Sequence, residues 1–383
     1  MKGHVTKKGS KWYFVLDIGV NPVTGKRKQK WFSGFKTKKE ASKAMTEKIH
    51  ELNQGIYMEP SKITLSEYLN RWLNDYAKTN CAPRTYQGYE YIIRDHLAPS
   101  SIGEVPLEKL KPMQIQHYYS EKLTKGRKDG TGGLSARSVH HHHRLLHEAL
   151  EHAVKWQLMQ KNPSKAVTPP KPQKKQMNVL TKEQIHLLLE ASKGKWYHAP
   201  IFIAINTGMR RGEIMGIRWQ DIDFEKRIIC ISQTLQRIKG KGLTFRHTAK
   251  TDGSRRSLAV SNSIIDLLKT IQAQQKVIKL ELSSHYQDSD LVFANLDGTP
   301  MDLDGLSREF ARLVRRIDIP YVRFHDLRHS HATLLLQQGE HPKIVSERLG
   351  HSSIAITMDT YSHVMPNMQK EAADKLDDFL FGK

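Results

Sequence analysis

Two spacings of apolar residues alternate along this chain and mark out its elements. Aromatic and β-branched residues crowd Lys11 to Val20 (KWYFVLDIGV) and Lys28 to Phe35 (KQKWFSGF), which predicts two strands. Between them, Asn21-Pro22-Val23-Thr24-Gly25-Lys26 supplies the Pro and Gly of a hairpin turn. A helix is predicted from about Lys38 to Asn53, with Thr37 as N-cap and Gly55 past its end. From Thr64 the period becomes that of packed helices. Leu65, Tyr68, Leu69, Trp72, Leu73 and Tyr76 fall on one face, and Thr64 with Glu67 forms a capping box. Further helices are expected over Arg84 to Leu97, Met113 to Leu123 and Ser138 to Leu158, with a basic glycine-rich loop, Lys125 to Gly133, before the last.

Asn162 to Lys175 (NPSKAVTPPKPQKK) carries four prolines and four lysines, a composition that keeps the chain extended and reads as a linker. Beyond it, Thr181 and Gln184 form another capping box, opening a helix through Leu189. A buried helix, Ile201 to Thr207, runs into Gly208-Met209-Arg210-Arg211-Gly212-Glu213. Short strands are expected around Arg227 to Ser232 and Arg255 to Val260, joined by a basic loop that holds Lys239, Lys241 and Lys250. Helices follow to the C-terminus. The pattern divides the chain into 1–58, a helical segment 62–161, a linker 162–176 and a final domain 177–383. The fold class is multidomain, mainly α with small β elements.

Charge narrows the partner. The 383 residues carry a formal net charge of +22, an excess that would repel itself unless it met a polyanion, so nucleic acid comes first. An anionic membrane surface comes second, but no apolar run is long enough for a span. The first twenty residues have a basic head and a short apolar run broken by Asp17, without a small-residue cleavage site. They read as a strand rather than a signal peptide. Cys81 and Cys230 are too few for a disulfide framework, which suits a reducing, cytoplasmic setting. Lys26, Arg27, Lys28 and Lys30 crowd the N-terminal hairpin, and a twisted ribbon can enter a DNA major groove with such residues on phosphates and base edges. A solvated basic hairpin is the plainer alternative, as an ordinary bundle is for the helical segment.

Candidate chemistry concentrates between Arg323 and His363 (RFHDLRHSHATLLLQQGEHPKIVSERLGHSSIAITMDTYSH). His140 to His143 is more conspicuous, yet consecutive helical residues point about 100° apart and cannot converge on one ion. His143 and His147 stand at i, i+4 without an evident third ligand. His325-Asp326-Leu327-Arg328-His329 resembles the zinc-protease H-E-x-x-H pattern, but Asp replaces Glu and Arg328 would set a fixed cation beside the metal. Phosphoryl transfer accounts for more of the residues. Attack on a phosphodiester builds charge on its non-bridging oxygens, which the guanidinium groups of Arg210 and Arg328 can meet with paired hydrogen bonds. His325 and His351 can orient the phosphate, Tyr361 can supply the nucleophile, and Lys250 can protonate the departing 5′ oxygen. A phenol with a reference pKa of about 10 needs help to lose its proton. No Walker A pattern and no clustered carboxylates for a two-metal site are found, so the reading calls for no cofactor and no metal.

These residues carry a resemblance. TGMRRGE (Thr207 to Glu213), AKTDGSRRSL (Ala249 to Leu258), HDLRHSHAT (His325 to Thr333), LGHSS and TYSH (Thr360 to His363) resemble, in order, the arginine, β-hairpin lysine, H-x-x-R, second-histidine and nucleophile boxes of the tyrosine recombinases, the phage-integrase family. The resemblance implies catalytic roles for Arg210, Lys250, His325, Arg328, His351 and Tyr361. It implies an AP2-like arm-binding unit of a three-stranded sheet plus a helix, a helical core-binding domain and a mixed α+β catalytic domain. It further implies a C-shaped clamp on double-stranded DNA, core-type and arm-type sites, and strand exchange by a homotetramer through a Holliday junction, without ATP. A DNA-bending host factor and an excisionase would be accessory partners. The three-part layout favours integration and excision of a mobile element or prophage, from a phage or conjugative transposon. The rivals are a non-catalytic DNA-binding regulator and a topoisomerase of the same chemistry. Leu376, Phe379 and Leu380 fall on one side of a last helical segment, Lys375 to Lys383, which is expected to dock on a neighbouring protomer, with packing on its own domain as the plainer alternative.

Overall fold

In the computed structural model, strands β1 (Gly3–Lys8), β2 (Lys11–Val20) and β3 (Arg27–Phe35) form an antiparallel sheet in that order. The structure describes residues 3–20, 25–53, 62–173, 177–247, 256–362 and 368–382. The first four residues of the expected turn Asn21–Lys26, and the segment holding Lys250, lie outside them. Helix α1 (Lys38–Asn53) covers the sheet, and Phe14, Leu16 and Ala41 make the small core between them. Phe14 and Phe32 stack with ring centroids 4.7 Å apart. The chain divides into two units, Met1–Lys174 and Lys175–Lys383.

The helices of the first unit follow the 3.6-residue pattern. Thr64 caps α2 (Leu65–Trp72), its hydroxyl accepting from Glu67 N at 3.2 Å while the Glu67 carboxylate accepts from Thr64 N at 2.9 Å. This helix runs on through a π-helical stretch, Leu73–Ala77, and α3 (Pro83–Ile92) does the same through Ile93–Leu97. Helices α4 (Pro112–Lys125) and α5 (Ala136–Lys155) complete the bundle, whose core includes Tyr68, Trp72, Tyr118 and Leu146. The histidine run on α5 is divided among different partners. The Tyr118 and Tyr119 hydroxyls are hydrogen-bonded to Nδ1 of His142 and His143, each at 2.9 Å. His147 Nδ1 lies 3.1 Å from Ser164 Oγ, and Trp72 Nε1 donates to His152 Nδ1 at 2.7 Å.

In the second unit α6 (Lys182–Ser192) opens on the Thr181–Gln184 capping box, and α7 (His198–Thr207) leads to a single turn, α8 (Arg211–Ile214). Strands β4 (Ile222–Asp223), β5 (Ile228–Ile231) and β8 (Arg256–Ala259) form one antiparallel sheet. The loop expected between the strands at Arg227–Ser232 and Arg255–Val260 is instead largely a second ribbon, β6 (Gln233–Ile238) paired with β7 (Gly242–His247). Gln233, Leu235 and Ile238 of β6 are buried, a weak alternation that its polar residues obscured. Helices α9 (Asn262–Leu282), α10 (Leu303–Val314), α11 (Asp326–Gln337), α12 (Pro342–Leu349), α13 (Ile354–Tyr361) and α14 (Met368–Phe381) follow. Ile203, Ala204, Ile214, Leu258, Phe310 and Leu327 share the core of this unit. Among the described residues, no helix is long and apolar enough to cross a membrane.

Candidate active site

The site begins where α7 stops. Gly208 takes φ +65°, and a Cβ there would fall 2.7 Å from both His331 Cδ2 and Leu349 Cδ2, so a side chain at this turn meets strain and contact together. The turn delivers Arg210 to the start of α8. Arg210 Nη1 donates to Glu213 Oε1 at 2.8 Å, its backbone N donates to Oε2 at 2.8 Å, and Nη2 donates to the Gly350 carbonyl at 3.2 Å. Arg256, first residue of β8, grips the same carboxylate with Nη1 at 3.0 Å and Nη2 at 2.7 Å, and donates Nε to the Arg348 carbonyl at 3.1 Å. Burial by itself would raise the Glu213 pKa; the hydrogen bonds and charge of Arg256, joined by Arg210, outweigh it and hold the carboxyl below its ordinary value.

Arg328 is buried on α11, at 3 % exposure. Its Nη1 donates to the Gly208 carbonyl at 2.8 Å, while its Nη2 is buried without a hydrogen-bond partner among the described residues. Burial, then the charge of Arg210, pushes its pKa down, with Glu213 partly offsetting them. An arginine keeps its proton at neutral pH nonetheless, so a cation with an open donor is held here.

Three imidazoles and a phenol surround this cation. His325 stands at the open edge of the site one residue before α11, and enclosure by its neighbours and the charge of Arg328 lower its pKa. His329 lies one turn on, its ring perpendicular to that of His325 with centroids 5.3 Å apart. His351 follows Gly350, which ends α12 at φ +64°; its Nδ1 lies 2.8 Å from the hydroxyl of Thr357. Burial, then Arg328 and Arg210, lowers the His351 pKa to about 4. Tyr361 ends α13 at 1 % exposure, packed with Ala332, Leu336, Val345 and Leu349. Its hydroxyl is 2.7 Å from Nδ1 of His329. Burial pushes the phenol up to about 12, against the pull of Arg328.

Of the six expected catalytic positions, the structure gathers Arg210, His325, Arg328, His351 and Tyr361 into this neighbourhood, and Lys250 lies outside the described residues. Sequence reasoning missed Glu213, Arg256 and Thr357, and it weighed His329 only as a protease look-alike. Signals existed for two of them. Glu213 stands three residues after Arg210, in reach of it across one turn. Arg256 shares strand parity with buried Leu258, which separates it from Arg255. At the N-terminal ribbon, Lys26, Arg27 and Lys28 are exposed, while Lys30 is half-buried with Nζ 6.0 Å from the centre of the Phe32 ring. Arg27 pairs with Asp17 at 2.9 Å, so part of its charge is met within the sheet.

A buried cation with an open donor, flanked by imidazoles and a phenol on a mainly helical frame, can take up a phosphodiester beside a tyrosine. Comparison with known proteins gives the family. Residues 178–368 match the phage integrase family, residues 4–52 an arm DNA-binding domain, and residues 64–123 the N-terminal SAM-like domain of phage integrases. The chain is 30 % identical to a XerC-like tyrosine recombinase of Caldanaerobacter subterraneus subsp. tengcongensis, over 98 % of each chain. It is 27 % identical to the ICEBs1 integrase of Bacillus subtilis, over 95 % of this chain and 96 % of that one. Its fold matches the Tn1549 transposon integrase in complex with a circular intermediate DNA, with a TM-score of 0.68 at 21 % identity, covering 82 % of this chain and 99 % of that one. A lambda integrase tetramer bound to a Holliday junction matches with a TM-score of 0.53 at 18 % identity, over 91 % of this chain and 95 % of the other. The chain belongs to the phage integrase family of tyrosine recombinases, enzymes that cut and rejoin DNA.

Proposed function

We propose that this recombinase integrates and excises a mobile element or prophage, and that Tyr361 is its nucleophile. Tyr361 attacks the scissile phosphate, leaving a 3′-phosphotyrosyl bond and a free 5′ hydroxyl. Arg210 and Arg328 bind the non-bridging oxygens, His325 and His351 orient the phosphate, and Lys250 protonates the departing oxygen. The covalent bond retains the free energy of the phosphodiester, so rejoining to a partner strand needs no ATP. One observation carries this reading: the buried, open Nη2 of Arg328, whose charge acts on the buried Tyr361 phenol, a free donor close to the group that would attack.

The division of labour along the chain is proposed with it. Residues 1–58 hold arm-type DNA through Lys26, Arg27, Lys28 and Lys30. Residues 62–161 hold the core-type site, 162–176 link the units, and 177–383 carry the chemistry. Tethering the modules raises the effective concentration of the second binding event and lets one protein bridge two sites. Four copies act on two duplexes, with a DNA-bending factor and an excisionase as accessory partners. On α14, Leu376, Phe379 and Leu380 are exposed, and this helix docks on the neighbouring copy.

The test is to incubate the protein with nicked candidate-site duplex and look for a protein–DNA adduct stable to denaturant, with Tyr361→Phe as control. The adduct should form and vanish in the control. No adduct from the unaltered chain would favour a DNA-binding regulator. An adduct on any sequence, with relaxation of supercoils and no recombinants, would favour a topoisomerase.

A further inference from the structure

The reaction proposed above leaves one proton unassigned. As the phenolic oxygen bonds to phosphorus, its hydrogen has to go elsewhere, and Arg210, Arg328 and Lys250 are cations that cannot take it. His351 turns Nδ1 to Thr357. Among the described residues one group touches the phenol, His329, whose Nδ1 is 2.7 Å from the Tyr361 hydroxyl. We propose that His329 is the base of the cleavage step and the acid of the rejoining step, a catalytic residue in direct contact with the nucleophile.

Atoms and charges balance on this assignment, which rests on Tyr361 as nucleophile. In cleavage the Oη–P bond forms, the P–O5′ bond breaks, the phenolic proton moves to Nδ1, and Lys250 supplies the proton of the new 5′ hydroxyl. In rejoining, a 5′ hydroxyl attacks phosphorus and gives its proton to the Lys250 amine left neutral by cleavage, the Oη–P bond breaks, and the His329 imidazolium returns its proton to the phenolate. The contact lies within the span of about 2.6–3.2 Å over which a base can act. Packing holds it there, because Tyr361 rests on Ala332 and Leu336 of the same helix that carries His329.

The electrostatics fit a base that is idle until DNA arrives. Burial, then the neighbouring His325, lowers the His329 pKa to about 4; Arg328 and Arg323 add to this, and only Asp326 pulls the other way. His351, from the segment after α12, also faces it. The ring is therefore neutral, and with its hydrogen on Nε2 it offers Nδ1 a free lone pair. With the phenol near 12 and the imidazole near 4, the proton stays on oxygen in the free protein. A bound phosphodiester brings negative charge among these cations and favours an imidazolium, so proton transfer accompanies O–P bond formation.

Single-turnover cleavage of a nicked recombination-site duplex tests this. His329→Asn can still hold the phenol but cannot take its proton, and its rate should fall about 10²- to 10⁴-fold, with DNA affinity unchanged in a gel-shift assay. A duplex with a sulfur leaving group at the 5′ bridging position should restore Lys250→Ala and leave His329→Asn slow. Replacing Tyr361 by the more acidic 3-fluorotyrosine should recover part of the His329→Asn loss. If His329→Asn does not bind DNA, His329→Ala with imidazole in the buffer takes its place, and added imidazole should speed cleavage. An Asn variant within threefold of the unaltered chain, rescue by the sulfur leaving group, or an Ala variant indifferent to imidazole would overturn the assignment. An adduct formed by Tyr361→Phe would instead overturn the underlying reading, which separates the two failures.

Discussion

Both units bury histidines, and they connect them differently. In the helical unit His142, His143, His147 and His152 each meet a partner from another segment: Tyr118, Tyr119, Ser164 and Trp72. These pairs close on themselves. In the second unit, α11 alone carries three buried side-chain atoms without a partner among the described residues, Nη2 of Arg328, Nε2 of His331 and Oγ1 of Thr333. The helical unit has one, Nδ1 of His140. A buried donor left open costs about 1–3 kcal/mol. The contrast teaches that burial of polar groups does not distinguish a structural cluster from a reactive one. Closure separates them here: the four pairs of the helical unit hold its helices together, while on the reading proposed above Arg328 keeps a donor open for the substrate.

The sharpest way to break this comparison is to alter an open group and a closed one and measure both chemistry and stability. Arg328→Lys keeps the charge but loses the planar fork, and single-turnover cleavage should fall about 10²- to 10³-fold, the usual cost of one misplaced oxyanion donor. DNA affinity should change far less. Next is Glu213→Gln, which leaves Arg210 and Arg256 facing each other across a neutral amide. Urea unfolding of the full chain should show a loss of about 3 kcal/mol, as expected when one partner of a buried ion pair is removed.

Tyr118→Phe opens a closed pair by leaving His142 Nδ1 alone in the core. It should cost about 1–3 kcal/mol and leave the cleavage rate at saturating protein unchanged; a slowed chemical step would contradict the division drawn here. Smallest is a pH effect on the same pair. Burial, then the neighbouring His96, lowers the His142 pKa to about 3. Unfolded chains would bind a proton near pH 6.5 that the folded unit refuses, so folding stability should fall as pH drops from about 6.5 toward 3. One such histidine contributes at most about 1.4 kcal/mol per pH unit. His142→Gln should flatten the slope measured by urea unfolding between pH 6.5 and 5, and an unchanged slope would move the effect to other histidines.

Capping boxes and helical spacing made most of the helices legible, since Thr64 with Glu67 and Thr181 with Gln184 are local signals that tertiary packing left intact. The span of α3 was legible as well, since the expected Arg84 to Leu97 covers the helix and its π-helical continuation, but the change to π-helical hydrogen bonding leaves no mark in apolar spacing. The β6–β7 ribbon was missed for a related reason: Gln233 is buried by donating its side-chain amide to the Gly216 carbonyl, which a hydrophobicity pattern counts as polar surface. At the site, the residues proposed to bind phosphate announce themselves by type. Residues that position them do so only through distance, as Arg256 shows, reaching Glu213 across forty-three positions of chain. His329 was visible throughout, but its meaning depended on Tyr361 lying against it rather than on a metal.

The seclusion of Tyr361 bears on what happens to a chromosome halfway through the reaction. While the strand is tethered to protein, a stray water that reached the phosphorus would spend the bond and leave an unsealed end in the host genome. Ala332, Leu336, Val345 and Leu349 wall the phenol ring off from solvent. On the reading proposed here, that small apolar cluster is a safeguard: it makes the wait for the right partner strand safe, and so lets the enzyme be slow without becoming a nuclease.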